Sequence, residues 1–297
     1  MPAPLLMLTA SLLFATMGVC VKLASVLYTA GELVFYRSLV GALLIAGTVA
    51  WRGGSLRTHL PWQHLGRSTS GTLSLGLWFW CIGGLPLATA MTLNYMSSVW
   101  MAVLMLVASV GLRQRRPDLP VAAWIALGFV GVGLVLQPTF AHHQWLHGAA
   151  GLLSGVLAAL AYLQVAELGR RGEPGYRVVF YFAVGGLVLG AATLPFTGTS
   201  AHGAQGVALL LAIGVLATGA QMLMTRAYAE GRALSNAGLH YMGLVFSYAY
   251  GMLLFGDSLS LASVSGMVAI VAAGIGATLQ PPRDAPAGFR QTRPPAV

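Results

Sequence analysis

Ten apolar stretches, each roughly 18–24 residues long and almost free of charge, decide what this chain can fold into. They lie at about 4–25, 31–51, 67–85, 88–110, 120–138, 147–168, 176–195, 205–226, 234–255 and 260–279. At 1.5 Å of rise per residue, a helix of that length crosses a hydrocarbon layer about 30 Å thick. None of the stretches alternates apolar and polar side chains with the period of two that a barrel strand needs. With no water in lipid to satisfy the backbone, helices remain. Composition closes the soluble alternative: 57% of the 297 residues are apolar and 8% charged, against about 25% charged in a soluble domain. Such a chain has too little charge to cover a water-facing shell. The expected fold class is an all-α integral membrane protein of ten transmembrane helices. The first stretch follows no basic segment and reads as a retained helix, not a cleaved signal.

Charge orients the stretches. Fourteen of the sixteen Lys and Arg residues fall in every second gap or at the span ends beside it. They are Arg52, Arg57 and Arg67; Arg113, Arg115 and Arg116; Arg170, Arg171 and Arg177; Arg226 and Arg232; Arg283, Arg290 and Arg293. Basic residues near span ends are retained on the cytoplasmic side, which predicts a multi-pass protein of a bacterial inner membrane with both termini in the cytoplasm. The net charge of +9 is thereby topology, not a nucleic-acid patch. Breakers such as Gly53-Gly54, Arg116-Pro117 and Glu173-Pro174-Gly175 mark short connections. The chain from 281 to 297 reads as a disordered cytoplasmic tail.

The chain also repeats. Tyr95-Met96 recurs as Tyr241-Met242, 146 residues on, in spans four and nine. Gly131-Val132-Gly133 with Gln137-Pro138 recurs as Gly274-Ile275-Gly276 with Gln280-Pro281, 143 residues on, in spans five and ten. Two ordered matches at nearly one offset indicate duplication, with repeats at 4–138 and 147–280. Five spans per repeat is odd, so the second copy enters from the opposite side. Inverted repeats are how many secondary transporters build alternating access.

The run from Phe14 to Lys22, then Gly31-Glu32-Leu33-Val34-Phe35-Tyr36-Arg37-Ser38, resembles the opening of the EamA-type repeat of the drug/metabolite transporter superfamily. So does Leu85-Pro86-Leu87-Ala88-Thr89-Ala90 leading to Asn94-Tyr95. The resemblance, over residues 4 to 280, implies ten helices around a central cavity and facilitative or proton-linked movement of small polar metabolites, usually outward. The Glu32-to-Ser38 variant is similar to a branch with S-adenosylmethionine carriers and exporters of opine-type metallophores. Span six departs from the opening, with Gln164 and Val165 where a basic residue would match Lys22.

Lys22 and Arg37 are the two basic residues inside spans. Lys22 reads either as a snorkelling lysine paired with Glu32 or as part of a carboxylate-binding cluster. Arg37 lies too deep to snorkel easily. Trp78 and Trp80, two apart, point about 200° apart, so one meets lipid or a neighbouring helix. Trp51, Trp62, Trp124 and Trp145 sit near span ends as interfacial anchors, whereas Trp100 is mid-span and suits a cavity wall. Asn94 and His240 occupy equivalent repeat positions beside Tyr95 and Tyr241, and are candidates either for one central site or for helix–helix hydrogen bonds. His240 is the candidate carrier of a coupling proton. Gln164 and Gln221 are further polar candidates for a solute. His142, His143 and His147 lack a completing acid or Cys, so no metal is assigned, and no cofactor. Cys20 and Cys81 read as small buried fillers.

The expected partners are a small-molecule solute and membrane lipid, with the copy number a monomer or a homodimer. An embedded enzyme is disfavoured because all seven acids are dispersed. Export of amino-acid-like or zwitterionic compounds, opine-type metallophores among them, is the leading reading. Uptake or exchange of a metabolite such as S-adenosylmethionine is the alternative.

Overall fold

The computed structural model describes residues 1–85, 87–111, 119–137, 144–255 and 260–280, and among these it is helical throughout. The helices are α1 (Ala3–Ala24), α2 (Ala30–Trp51), α3 (Pro61–Gly84), α4 (Leu87–Gly111), α5 (Leu119–Leu136), α6 (Trp145–Arg170), α7 (Gly175–Thr197), α8 (Ala204–Glu230), α9 (Ala233–His240), α10 (Met242–Phe255) and α11 (Leu261–Leu279). Eight of them are long and apolar enough to cross a membrane. The tail from 281, together with His142 and His143, lies outside the described residues.

The three helices that fail that test do so for visible reasons. α3 carries Ser68, Thr69, Ser70, Thr72 and Ser74 in its first half, and Ser70, Thr72 and Ser74 are buried. Two of those hydroxyls, on Ser70 and Ser74, join α3 to α6. Ser74 Oγ donates to the Ser154 carbonyl at 2.8 Å and Ser154 Oγ returns a bond to the Ser74 carbonyl at 2.9 Å. α3 also starts earlier than its hydropathy suggests, at Pro61, whose missing N–H suits the first turn. This carries Arg67 inside the helix, where it is buried. The expectation that Arg67 belongs with the arginines of the loops is thereby corrected.

α9 and α10 together take the place of the ninth expected span, which breaks at Tyr241. Three side chains hold the short α9 from three sides. Asn236 Nδ2 donates to the Ala227 carbonyl of α8 at 2.5 Å, Ser235 Oγ to the Ala277 carbonyl of α11 at 2.9 Å, and α9's own Ala237 carbonyl accepts from Ser98 Oγ of α4 at 2.9 Å. Tyr241 fits where α5 has Gly128; a Cβ there would lie 2.7 Å from its ring.

Small residues set the helix spacing. A Cβ on Gly131 would lie 2.6 Å from the Gly266 carbonyl oxygen, and one on Gly266 2.5 Å from the Gly131 carbonyl oxygen, so α5 and α11 meet backbone to backbone. Gly190 leaves 2.8 Å to Phe35, Gly186 faces Ser38 and Gly41 faces Ala183, so α2 and α7 run antiparallel in that register. The main packing partners are α1 with α8, α3 with α6, α2 with α7, and α5 with α11; α4 also packs on α6, and α10 on α1. Trp124, expected as an interfacial anchor, instead packs its ring on Gly276 of α11. Trp51, Trp62 and Trp145 are exposed, as is Trp80, while Trp78 is half-buried.

Candidate functional site

Polar and aromatic side chains from both ends of the chain meet in the interior. Tyr162 of α6 stacks on Tyr228 of α8, with ring centroids 5.5 Å apart and planes at 12°. The His240 ring lies 5.8 Å from Tyr162 and 5.8 Å from Tyr95 of α4. Tyr95 in turn lies 6.1 Å from Tyr241. Beside Tyr162, two arginines share one ring: Arg67 Cζ is 4.4 Å and Arg37 Cζ 5.9 Å from the Phe182 centroid. Seven helices thus contribute side chains to this interior. Gly71 makes room for Arg67, since a Cβ there would collide with Nη1. Gly155 does the same for Trp100, whose Cδ1 would lie 3.2 Å away.

Several buried polar atoms in this region have no protein partner: Nε and Nη1 of Arg67, Nε1 of Trp100, Nδ1 of His240 and the Tyr241 hydroxyl. Buried donors and acceptors normally find partners, and each exception calls for a reason.

Of the sequence candidates, Arg37, Tyr95, His240 and Tyr241 fall within this group. Trp100 lies over α6, and Asn94, next to Tyr95, is half-buried on α4. Gln221 is buried on α8. Gln164 lies elsewhere: its Oε1 accepts from Ser70 Oγ at 2.8 Å, and it lines a cleft of about 300 Å³ with Trp62, Gln63, Gly66 and Glu167. Lys22 is exposed near the end of α1. The expected pairing of Lys22 with Glu32 gives way to a different one, because Glu32 is taken by backbone and hydroxyl donors. Trp78 is on α3. Arg67, Tyr162, Phe182 and Tyr228 were not singled out from sequence. Arg67 was masked by its place near a predicted span end, and the aromatics by the absence of any motif around them. The polar, glycine-spaced start of α3 was the available signal.

Two polar clasps flank the interior. Glu32, buried completely, accepts from the Thr29 N–H at 2.9 Å, the Ser200 N–H at 2.6 Å and the Ser200 Oγ at 2.9 Å. It both caps α2 and ties that end to the segment before α8. On the arginine-rich side, Glu173 bonds His64 Nε2 of α3 at 2.9 Å and pairs with Arg177 Nη1 at 3.6 Å. Burial raises the Glu173 carboxyl's pKa, but bonds from His64 and Thr58 and the charges of His64 and Arg177 hold it, on balance, below the usual range. Nearby, Arg177 Nε donates to the Ser55 carbonyl at 3.0 Å and Tyr181 OH to the Leu56 carbonyl at 3.0 Å. Among the described residues no group of three or more metal-ligating side chains is present.

An all-helical, multi-pass membrane protein with a polar, aromatic interior is the class that this fold and site define. The EamA-like transporter family model matches residues 1–137. Over nearly the whole length, the chain is 33% and 31% identical to the pseudopaline exporter CntI of two Pseudomonas aeruginosa strains, covering 91% of this chain and 94% of each relative. It is 27% identical to a transporter of Helicobacter pylori, covering 91% of this chain and 92% of that one. A crystal structure at 18% identity superposes with a TM-score of 0.81 over 93% of this chain and 96% of the other, which is likeness of fold. The chain belongs to the EamA-like transporter family, within the drug/metabolite transporter superfamily. It is a transporter and not an enzyme.

Proposed function

We propose that this protein is a secondary transporter exporting small polar metabolites, amino-acid-like or zwitterionic compounds including opine-type metallophores, across a bacterial inner membrane. The observation that carries the reading is the interior cluster of partnerless polar atoms on Arg67, Trp100, His240 and Tyr241, held between helices from both halves of the chain. A polar solute in transit satisfies such atoms in turn, whereas a packing core has no use for them. The full-length similarity to a named exporter supports the outward direction.

Alternating access by two inverted five-helix repeats, 4–138 and 147–280, is the mechanism we infer. The pairing of helices supports it. Counting α9 and α10 as one span, a shift of five spans turns the α1–α8 contact into α6–α3, and the α4–α6 contact into the one between α1 and the α9–α10 pair. The α2–α7 and α5–α11 contacts map onto themselves. The arginine distribution supports cytoplasmic termini. His240, central among Tyr95 and Tyr162, is the candidate for proton coupling. Two interior guanidinium groups disfavour a sulfonium cation, which argues against S-adenosylmethionine as cargo.

The test is untargeted metabolomics of the medium from cells with and without the protein. One or more polar metabolites accumulate outside only when it is present, and Arg37→Ala abolishes the accumulation while Arg37→Lys restores part of it. No change in the medium, or wild-type export by the alanine variant, overturns the reading.

A further inference from the structure

Arg37 and Arg67 each lie about two turns into their helix, and both reach the Phe182 ring. Arg67 begins roughly 9 Å along α3 from Pro61. A snorkelling arginine would bend back toward that nearer end. Instead Nη1 lies against Gly71, one turn deeper. Arg37, on α2, is level with the Gly186–Gly190 stretch of α7, yet its Cζ reaches the ring of Phe182, about a turn further from the start of α2. Both side chains carry charge away from the closest water.

Among the described residues, no carboxylate answers that charge. The four described acids are engaged elsewhere: Glu32 by Thr29 and Ser200, Glu167 by Arg170 and Arg171, Glu173 by His64 and Arg177, and Glu230 by Arg226. No described carboxylate pairs with either guanidinium. The Phe182 face supplies a cation–π contact, which takes no hydrogen bond from the partnerless Nε and Nη1 of Arg67. Two like charges, Arg67 buried and Arg37 half-buried, are unfavourable without a counter-charge for the protein alone. Planar guanidinium forks are suited to bidentate carboxylates.

Resting on the transporter reading above, we propose that Arg67 and Arg37 bind the acidic end of the cargo, a small metabolite with two carboxylates, one for each guanidinium. The body of the solute then lies against the stacked rings of Tyr162 and Tyr228, and the two charges cross the membrane interior balanced. A phosphate ester offers the same dianionic oxygen chemistry, so the test separates the two.

The experiment is thermal unfolding of the full-length protein in detergent, titrated at matched ionic strength with succinate, citrate, inorganic phosphate, chloride and putrescine. Ligand that binds only the folded state raises the unfolding temperature with concentration. Succinate or citrate is expected to raise it beyond chloride, with putrescine giving no rise. Arg67→Gln and Arg37→Gln are each expected to weaken the carboxylate response by about tenfold or more in concentration. Arg67→Gln is also expected to unfold at a higher temperature than wild type in chloride alone, since it removes an unanswered buried charge; a merely structural arginine would give the opposite. Arg67→Lys, which keeps the charge and loses the fork, tests the site if the glutamine variant does not fold, and is expected to lose most of the response.

A wild-type protein indifferent to both carboxylates, or an Arg67 variant that keeps the response, overturns the proposal. A response to phosphate alone through Arg67 overturns the carboxylate assignment and gives the site to a phosphoryl group. Carboxylate binding through Arg67 without any exported metabolite leaves the site standing and fails the exporter reading. Export confined to neutral or cationic solutes does the reverse.

Discussion

The two clasps solve one problem with different chemistry. Each uses a buried carboxylate to join the entry of a helix in one half of the chain to the entry of a helix in the other. Glu32 is held by neutral donors, two backbone N–H groups and a serine hydroxyl. Glu173 is held by an imidazole and a guanidinium, with its side chain 7% exposed. The difference teaches where each end can respond to its surroundings. A carboxylate among amides and a hydroxyl has no partner that titrates or that salt competes for directly. A carboxylate paired with Arg177 sits in a set that salt competes for directly. On the alternating-access reading, the arginine-rich end is the adjustable one.

The largest expected effect is at the neutral clasp. Glu32→Ala removes an α2 cap and leaves the Thr29 and Ser200 N–H groups unanswered, so stability is expected to fall by about 2–3 kcal/mol. Denaturant or thermal unfolding in detergent measures it, and a loss within error of zero would break the comparison. Glu173→Gln comes next, at about 1–2 kcal/mol at neutral pH, because Arg177 retains the Ser55 carbonyl. Its pH dependence sharpens the contrast. Since the folded state holds the Glu173 carboxyl below the usual range, its contribution is fully present above the unfolded carboxylate value. It is lost as pH falls through the lower folded value. Wild type and Glu173→Gln are therefore expected to converge in stability in acid and to separate toward neutrality; a constant gap across that window contradicts the assignment. The smallest effect is Ser200→Ala, which removes the hydroxyl bond to Glu32 and leaves the backbone bond, at about 0.5–1.5 kcal/mol and independent of salt. A salt-dependent loss at Ser200 would erase the distinction between the two ends.

Much of this architecture was legible in the chain. Length and hydropathy placed the eight helices that are long and apolar enough to cross a membrane. The exceptions have physical causes. α3 buries hydroxyls that pair with α6, so it is too polar for a hydropathy window, and the window began late enough to leave Arg67 at its edge. The short α9 before the break at Tyr241 is held by three hydrogen bonds with three other helices, which no local pattern encodes. The site was half visible. Arg37 and His240 stood out because charge and imidazole are rare in spans, and the repeat drew notice to Tyr95 and Tyr241. Tyr162, Tyr228 and Phe182 are ordinary residues of apolar helices until packing sets them against Arg67 and His240. Trp124 shows the converse: a tryptophan near a span end is an anchor only if its neighbour leaves no groove, and Gly276 leaves one.

The crossing of α5 and α11 has a consequence for how this chain can vary. Gly131 and Gly266 each occupy the space that a side chain on the other would need, and in both cases the nearest obstacle is a carbonyl oxygen, which cannot swing aside as a side chain can. A larger residue at either position cannot be accommodated by shrinking its counterpart, because the counterpart is already the smallest there is. Compensatory drift, the usual escape for a crowded core, is closed at this crossing, and the two positions are locked together on every route the sequence can take.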